Sequence, residues 1–210
     1  MVHPTKPISA RKSSKGFSLI EVLMVLAILG IMAAVVIPRL ETRGPKMRRE
    51  LRSITVLVKR LHHLARLNRV TYRLVIDMTS PDEHTYWVES SSQKVTFKTD
   101  EQIEEELRKK DSSKDDESDG VGFQVDPSFM KKPAELSHPL IFGGVELATR
   151  DKVIEQEKAY IHFLPQGVVE EASIFLTDKE NLNYTIWINP LTGQADIISG
   201  KILIKDLRKK

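Results

Sequence analysis

Glu21 is the residue whose chemistry stands out, because it is a lone acid in an apolar stretch. Between Phe17 and Ile37, only Ser18, Glu21 and Gly30 are not plainly apolar. A carboxylate in the first turn of a helix is favoured by the helix dipole by about 0.3–1 kcal/mol. The same acid at the middle of a bilayer costs roughly 2.5–3.5 kcal/mol. Glu21 therefore either reaches the lipid headgroups or pairs with a cation, and the residues around it leave both interpretations open.

The other side chains give no pattern that is typical of catalysis or of a bound cofactor. The chain has no cysteine, which excludes disulfides, thiolate metal sites and a cysteine nucleophile. The Gly-x-Ser-x-Gly, His-Glu-x-x-His and phosphate-loop motifs are also absent from the sequence. His62 and His63 are adjacent, so they point in different directions on a helix and make a poor metal pair. We therefore expect a protein without enzymatic activity, cofactor or metal.

The apolar stretch that carries Glu21 is predicted to form a long helix. Residues 17–37 would extend roughly 32 Å at 1.5 Å per residue, which matches a hydrocarbon core of about 30 Å. Because the stretch has no polar stripe, the helix needs lipid or other helices on every side. Pro38 removes a backbone donor and predicts a kink or a helix end. Gly44-Pro45 predicts a second break.

A second, amphipathic helix is predicted from roughly Lys46 to Asn68, so that residues 17–68 form a largely helical N-terminal region. Its apolar residues recur at steps of three and four. They are Met47, Leu51, Ile54, Val58, Leu61 and Ala65. This stripe is expected to pack on a sheet, and we interpret the cations Lys59, Arg60, Arg66 and Arg69 as a solvated face.

Residues 69–210 are predicted to form a β-rich domain. Alternating side chains predict strands at 71–78, 84–89, 94–98, 160–164, 173–177, 184–188, 195–199 and 202–204. A helix followed by a hairpin indicates an α+β fold. Residues 99–120 are rich in charge and serine, which predicts a mobile, solvated loop. Residues 115–126 resemble a calcium loop only faintly, because Glu117 and Asp126 depart from its third and twelfth positions.

The sequence Gly-Phe-Ser-Leu-Ile-Glu at residues 16–21, followed by an apolar span that ends at Pro38, resembles the prepilin signature of type IV pilins and type II secretion pseudopilins. The resemblance implies that a prepilin peptidase and methyltransferase removes residues 1–16 by cutting between Gly16 and Phe17, then methylates the new Phe17 amine. It implies that residues 17–37 span the membrane and later form the core of a filament. Glu21 would pair with the N-terminal amine of a neighbouring subunit, and Pro38 would help the helix to loosen during assembly.

The C-terminal half resembles the H-type minor pseudopilins of type II secretion. The resemblance is carried by Phe163-Leu164-Pro165-Gln166-Gly167, the strand at 173–177, and Asn-Pro-Leu-Thr-Gly at residues 189–193. It implies a pilin-like fold, in which a long N-terminal hydrophobic helix packs on antiparallel β-sheets. It also implies a place near the tip of the periplasmic pseudopilus that pushes folded proteins through the outer-membrane secretin.

The same resemblance implies a location and a set of partners. The chain would cross the bacterial inner membrane once, with residues 69–210 in the periplasm. Its partners would be the prepilin peptidase, other major and minor pseudopilins, and the inner-membrane assembly platform. An uncleaved signal anchor and a membrane-tethered enzyme remain as alternatives to this interpretation.

A minor type IV pilin for pilus assembly or DNA uptake is the main alternative. Its best support is the basic tail, formed by Lys201, Lys205, Arg208, Lys209 and Lys210, because basic clusters bind phosphates. We interpret these cations as a solubilising, frayed tail, since no aromatic stacking platform lies beside them in the sequence. Removal of the leader would leave 28 basic against 29 acidic residues. Nucleic acid is therefore not an expected partner.

Overall fold

The computed structural model describes residues 18–41, 43–93, 95–97, 101–102, 122–180 and 182–209. The chain divides into two compact units, Met1–Thr42 and Arg43–Lys210. The first contains helix α1 (Leu19–Glu41), and the second begins with helix α2 (Arg43–Asn68). Gly16, Phe17 and most of the charged loop at 99–120 lie outside the described residues.

The two predicted helix breaks differ from the structure. A helix end at Pro38 is wrong, because α1 continues through this residue to Glu41, and a kink there stays a prediction. A proline removes one helical hydrogen bond, but its fixed φ of about −65° is compatible with a helix. Gly44 and Pro45 lie in the first turn of α2, where a missing N–H is tolerated because first-turn donors have no partner within the helix.

Helix α2 supplies one side of the hydrophobic core, as its periodicity predicts. Each residue of the apolar stripe is at most 1% exposed: Met47, Leu51, Ile54, Val58, Leu61 and Ala65. These side chains belong to one cluster with buried residues of the strands that follow. Burial of this stripe is what holds α2 in place, since most helical stability in proteins comes from packing of an apolar face.

The described strands form two antiparallel sheets. They are β1 (Thr71–Asp77), β2 (Thr85–Ser91), β3 (Gln124–Val125), β4 (Ala134–Glu135), β5 (Ile141–Leu147), β6 (Lys158–Phe163), β7 (Ala172–Thr177), β8 (Asn183–Ile188) and β9 (Ala195–Ser199). The first sheet has the order β3-β2-β1-β6, with β4 also paired to β2. The second has the order β5-β7-β8-β9. A helix followed by antiparallel sheets confirms the α+β fold and fits the pilin-like architecture.

Two of the predicted strands are wrong. Residues 95–97 are not a strand, and β2 pairs instead with the short strands β3 and β4. Residues 202–203 are irregular, and a short helix, α3 (Ile204–Leu207), follows. Ile204 is 5% exposed, and its N–H donates to Glu146 Oε2 at 2.8 Å. This packing, which depends on distant residues, replaces the predicted strand.

Strand β5 was not predicted from the sequence, because Gly143 and Gly144 interrupt its alternation of side chains. The pairing of β5 with β7 shifts register between Phe142 and Gly144. At Gly144, φ is +128°, and a Cβ atom would lie 3.2 Å from the carbonyl oxygen of Ile154. The glycine therefore allows close approach of the segment that bridges to β5, as glycines at bulges commonly do.

Candidate functional site

The first turn of α1 presents the Glu21 carboxylate at the surface. The Ser18 carbonyl oxygen accepts hydrogen bonds from the N–H groups of Glu21 at 3.0 Å and Val22 at 3.2 Å. These bonds begin the helix at Leu19, two residues before Glu21, which therefore lies in its first turn. Glu21 is exposed, and among the described residues it forms no ion pair. Its charge is thus available to a group outside the described chain.

Helix α1 exposes apolar side chains around its whole circumference. From Ser18 to Met32, every side chain is exposed, with Leu19 at 78% and Ile31 at 67%. In a water-soluble monomer, an apolar surface of this kind is rare and marks an interaction site. Either lipid or other protein chains must cover this helix.

Within the part of the chain that the structure describes, no helix is both long and apolar enough to cross a membrane.

The structure places the predicted site residues in different ways. Glu21 and Pro38 lie on one helix, 17 residues apart, which is about 25 Å along the axis. They therefore belong to one helical element without forming a common site. Gly16 and Phe17 lie outside the described residues, so cleavage and methylation there stay predictions.

His62 is a packing residue on α2. Its Nε2 atom lies 3.0 Å from the carbonyl oxygen of Gly167. Its ring packs against Gly193, where an added Cβ atom would fall well inside contact distance of His62 Cγ. Among the described residues, no group of three or more His, Asp or Glu side chains is placed to hold a metal ion. The faint calcium motif lies outside the described residues except at its end.

Charged groups on the outer face of the first sheet are paired with one another. Arg73 Nε donates to Glu89 Oε2 at 2.6 Å, and Trp87 Nε1 donates to Glu89 Oε1 at 2.7 Å. The Arg73 guanidinium also lies 4.1 Å from the ring centroid of Phe123 and 4.4 Å from that of Tyr160. Val75 lies on the same face of β1 as Arg73, is paired across the sheet with Trp87 and Tyr160, and is fully buried.

Part of the basic tail is docked, which corrects the expectation that the tail is frayed along its length. The Arg208 guanidinium donates to the buried Glu171 carboxylate, and this contact raises the pKa of Arg208. Lys201 Nζ lies 3.3 Å from Glu155 Oε1 and 5.1 Å from the ring centroid of Phe175. Two of the five tail cations are therefore engaged within the domain, and the support for a DNA-binding tail is weaker than the sequence suggests.

Helix α2 carries many more cations than acids, which the sequence alone led us to interpret only as a solvated face. Its 26 residues carry eight Lys or Arg residues. Its single acid, Glu50, is 8% exposed and accepts a hydrogen bond from Ser137 Oγ at 2.6 Å. The charged side chains that α2 exposes are therefore all cations. Counting charges by helix, rather than over the whole chain, would have revealed this from the sequence.

Comparison with known proteins gives one match, at the N-terminus. Residues 11–37 match the family model of the prokaryotic N-terminal methylation motif. The match covers a short part of the 210-residue chain. It indicates a type IV pilin-like N-terminus that prepilin peptidase processes, and it does not distinguish pseudopilins from pilins. No curated protein and no solved structure matches the chain.

Proposed function

We propose that this chain is a minor pseudopilin of a type II secretion system. After processing by prepilin peptidase, it would assemble near the tip of the periplasmic pseudopilus that pushes folded proteins through the outer-membrane secretin. Its role is structural, without catalysis of its own. It would be anchored in the bacterial inner membrane by residues 17–37, with residues 69–210 in the periplasm.

The observation that carries this proposal is the N-terminal helix itself. A methylation motif at residues 11–37 coincides with a helix whose described side chains, from Ser18 to Met32, are all exposed. From Leu19 to Ile37, Glu21 is its one charged residue. Such an apolar helix can be covered by lipid or by other helices. A carboxylate among them is costly unless a cation lies at the same depth, so Glu21 would fix the depth of its neighbour.

The first step of the proposal is tested at the Gly16–Phe17 bond. We expect the mature chain purified from its native cells to begin at Phe17 with a methylated amine. A Gly16→Ala chain should accumulate unprocessed, because the peptidase cleft accepts a residue without a side chain. Mass spectrometry of the intact N-terminus measures both. Normal trimming of the Gly16→Ala chain, or a native chain that still begins at Met1, would contradict the proposal.

A minor type IV pilin is the alternative, since the N-terminal motif is common to both classes. Deletion of the gene distinguishes them. Loss of folded exoproteins from the medium, with normal surface pili, supports the pseudopilin. Loss of surface pili or of DNA uptake, with normal secretion, supports the pilin. The engaged tail residues Arg208 and Lys201 favour the first outcome over a role in DNA binding.

A further inference from the structure

Helix α2 carries a line of cations that no acid of the described chain neutralises. Arg48, Arg52, Lys59 and Arg66 follow one another at steps of four, seven and seven residues, so they lie along one side of the helix. All four are exposed, and none forms an ion pair within the described residues. The line is about 27 Å long at 1.5 Å per residue.

The stability of α2 itself does not explain this line. Like charges four residues apart, such as Arg48 and Arg52, destabilise a helix, whereas an acid at the same spacing would stabilise it. The one acid of α2, Glu50, is turned toward Ser137 and is bonded to it. The cations therefore remain uncompensated on a helix that could accommodate acids at many exposed positions.

Apolar side chains lie on the same exposed side. Val56 is 65% exposed and Leu67 is 63% exposed. They are eleven residues apart, which is close to three helical turns, so they share one face. Arginine is enriched at protein interfaces, and the centre of such an interface is apolar, which fits exposed arginines beside Val56 and Leu67. A phosphate backbone takes its contacts from cations and polar groups and gains nothing from Val56 or Leu67.

We propose that the basic face of α2, defined by Arg48, Arg52, Val56, Lys59, Arg66 and Leu67, docks an acidic helix of a different filament subunit. This inference rests on the proposed function, in which the chain enters a pilin-like filament. The partner helix carries carboxylates at matching positions, four and seven residues apart. Pairing with these carboxylates provides the charge complementarity that fixes partner and register at protein interfaces.

A second copy of this chain does not fit the basic face through its own α2. Such a contact would set the same four cations against one another, and like charges at an interface exclude a partner. The charge pattern therefore selects a heterologous subunit.

The test uses the full chain in its native cells, with a photoreactive amino acid in place of Val56. We expect ultraviolet light to link it to a second protein that itself begins with an N-terminal methylation motif. In a chain that also carries Arg48→Glu, Arg52→Glu and Lys59→Glu, the yield should fall about tenfold, because three favourable contacts become repulsive. None of the three replaced side chains has an ion pair within the described domain, so the variant should fold normally.

The matched control reverses three exposed cations away from α2, by Lys131→Glu, Lys132→Glu and Lys152→Glu. All three residues are exposed, and the change in net charge is the same. The yield of the Val56 adduct should be unchanged in this control. Reversal of the acids on the linked helix of the partner should restore the adduct with the α2 variant, which a general loss of folding could not do.

Several outcomes would overturn the inference. They are an adduct with a second copy of this chain, an adduct with lipid or nucleic acid alone, an adduct insensitive to reversal of the α2 charges, and no adduct at all. Leader processing and filament incorporation are measured in the same cells. If the chain is processed and incorporated but the adduct fails, this inference alone is wrong. If processing or incorporation fails in the unmodified chain, the proposed function is wrong.

Discussion

Buried charged side chains in this domain are each held by a specific partner, and Glu21 is the contrasting case. Glu89 pairs with Arg73, and Glu171 pairs with Arg208. A buried charge without a partner is strongly unfavourable, whereas a paired and hydrogen-bonded one is tolerated. Glu21 has no partner within the described residues, and the other exposed side chains from Leu19 to Met32 are apolar. Its partner must therefore come from outside the described residues, once lipid or other helices cover α1.

Glu21→Ala should separate processing from assembly. The leader should be removed normally, because the Gly16–Phe17 bond is intact, but the subunit should fail to enter filaments, because the apolar helix then lacks its one register-setting charge. Mass spectrometry of the N-terminus and recovery of the subunit in sheared or cross-linked filaments measure the two steps. Glu21→Asp, which keeps the charge, is the control. Normal incorporation of the alanine variant would show that Glu21 is only a first-turn carboxylate favoured by the helix dipole.

His84 is a buried histidine whose neutral form the fold prefers. It is 6% exposed, and its Nδ1 atom accepts a hydrogen bond from the Phe142 N–H at 3.0 Å. Burial is the largest cause that lowers its pKa below the ordinary value of 6.5, with Lys179 acting in the same direction. As the pH falls, His84 is therefore protonated in the unfolded chain at a higher pH than in the folded domain. Stability from this group is full above pH 6.5 and is lost as the pH falls toward the folded pKa.

The free energy of unfolding should accordingly decrease between pH 7 and pH 5, and His84→Asn should reduce that decrease. Asparagine can still accept from the Phe142 N–H, but it does not titrate. Urea unfolding at several pH values measures the difference, and groups shared by both proteins cancel in the comparison. Equal pH dependence in the two proteins would show that His84 titrates alike in the folded and unfolded states.

At the scale of elements, the position of α2 depends on two turns that approach its side. The His62 ring lies against Gly193 in the turn between β8 and β9, and its Nε2 atom reaches Gly167 O in the turn after β6. Gly167 and Gly193 have φ of +88° and +62°, values that glycine adopts without a steric penalty. The two glycines allow both turns to approach α2, so that both sheets pack against the apolar stripe of this helix.

Gly193→Ala should destabilise the domain more than Gly200→Ala. Both glycines have positive φ, so both substitutions strain the backbone, but a Cβ atom at Gly193 overlaps His62 while one at Gly200 meets nothing within 4 Å. Overpacking should add about 1–3 kcal/mol of lost stability at Gly193, measured by urea unfolding. His62→Ala in the Gly193→Ala background should recover part of that loss. Equal effects of the two glycine substitutions would mean that the helix can move away from the turn.

For the whole molecule, the division of the chain at Thr42 separates two kinds of surface. The hydrophobic core cluster contains residues from Met47 onward, all of them within the unit Arg43–Lys210. The other unit contains α1, whose described side chains are exposed. The folded domain therefore holds its own core, while the apolar helix contributes surface that other molecules must cover.

The fragment Arg43–Lys210 should fold by itself as a soluble monomer. It contains the full described core, whereas the longer chain from Phe17 exposes α1 and should need detergent or partners to stay in solution. Size-exclusion chromatography and cooperative urea unfolding check this, with the chain from Phe17 in the same buffer as the control. A fragment without cooperative unfolding would show that residues before Arg43 contribute to the stability of the domain.

The sequence by itself determined the parts of this protein that follow from local periodicity. The lone acid of the apolar stretch, the α2 stripe from Met47 to Ala65 and the strand at 195–199 could all be read there, because each depends on side chains a few residues apart. Tertiary structure alone decided the rest. Contacts between residues far apart in the chain bond the Ile204 N–H to Glu146, pack His62 against Gly193, and pair Arg208 with Glu171. They also leave Arg48, Arg52, Lys59 and Arg66 of α2 without an ion pair within the described residues, since the single acid of that helix is used inside the domain.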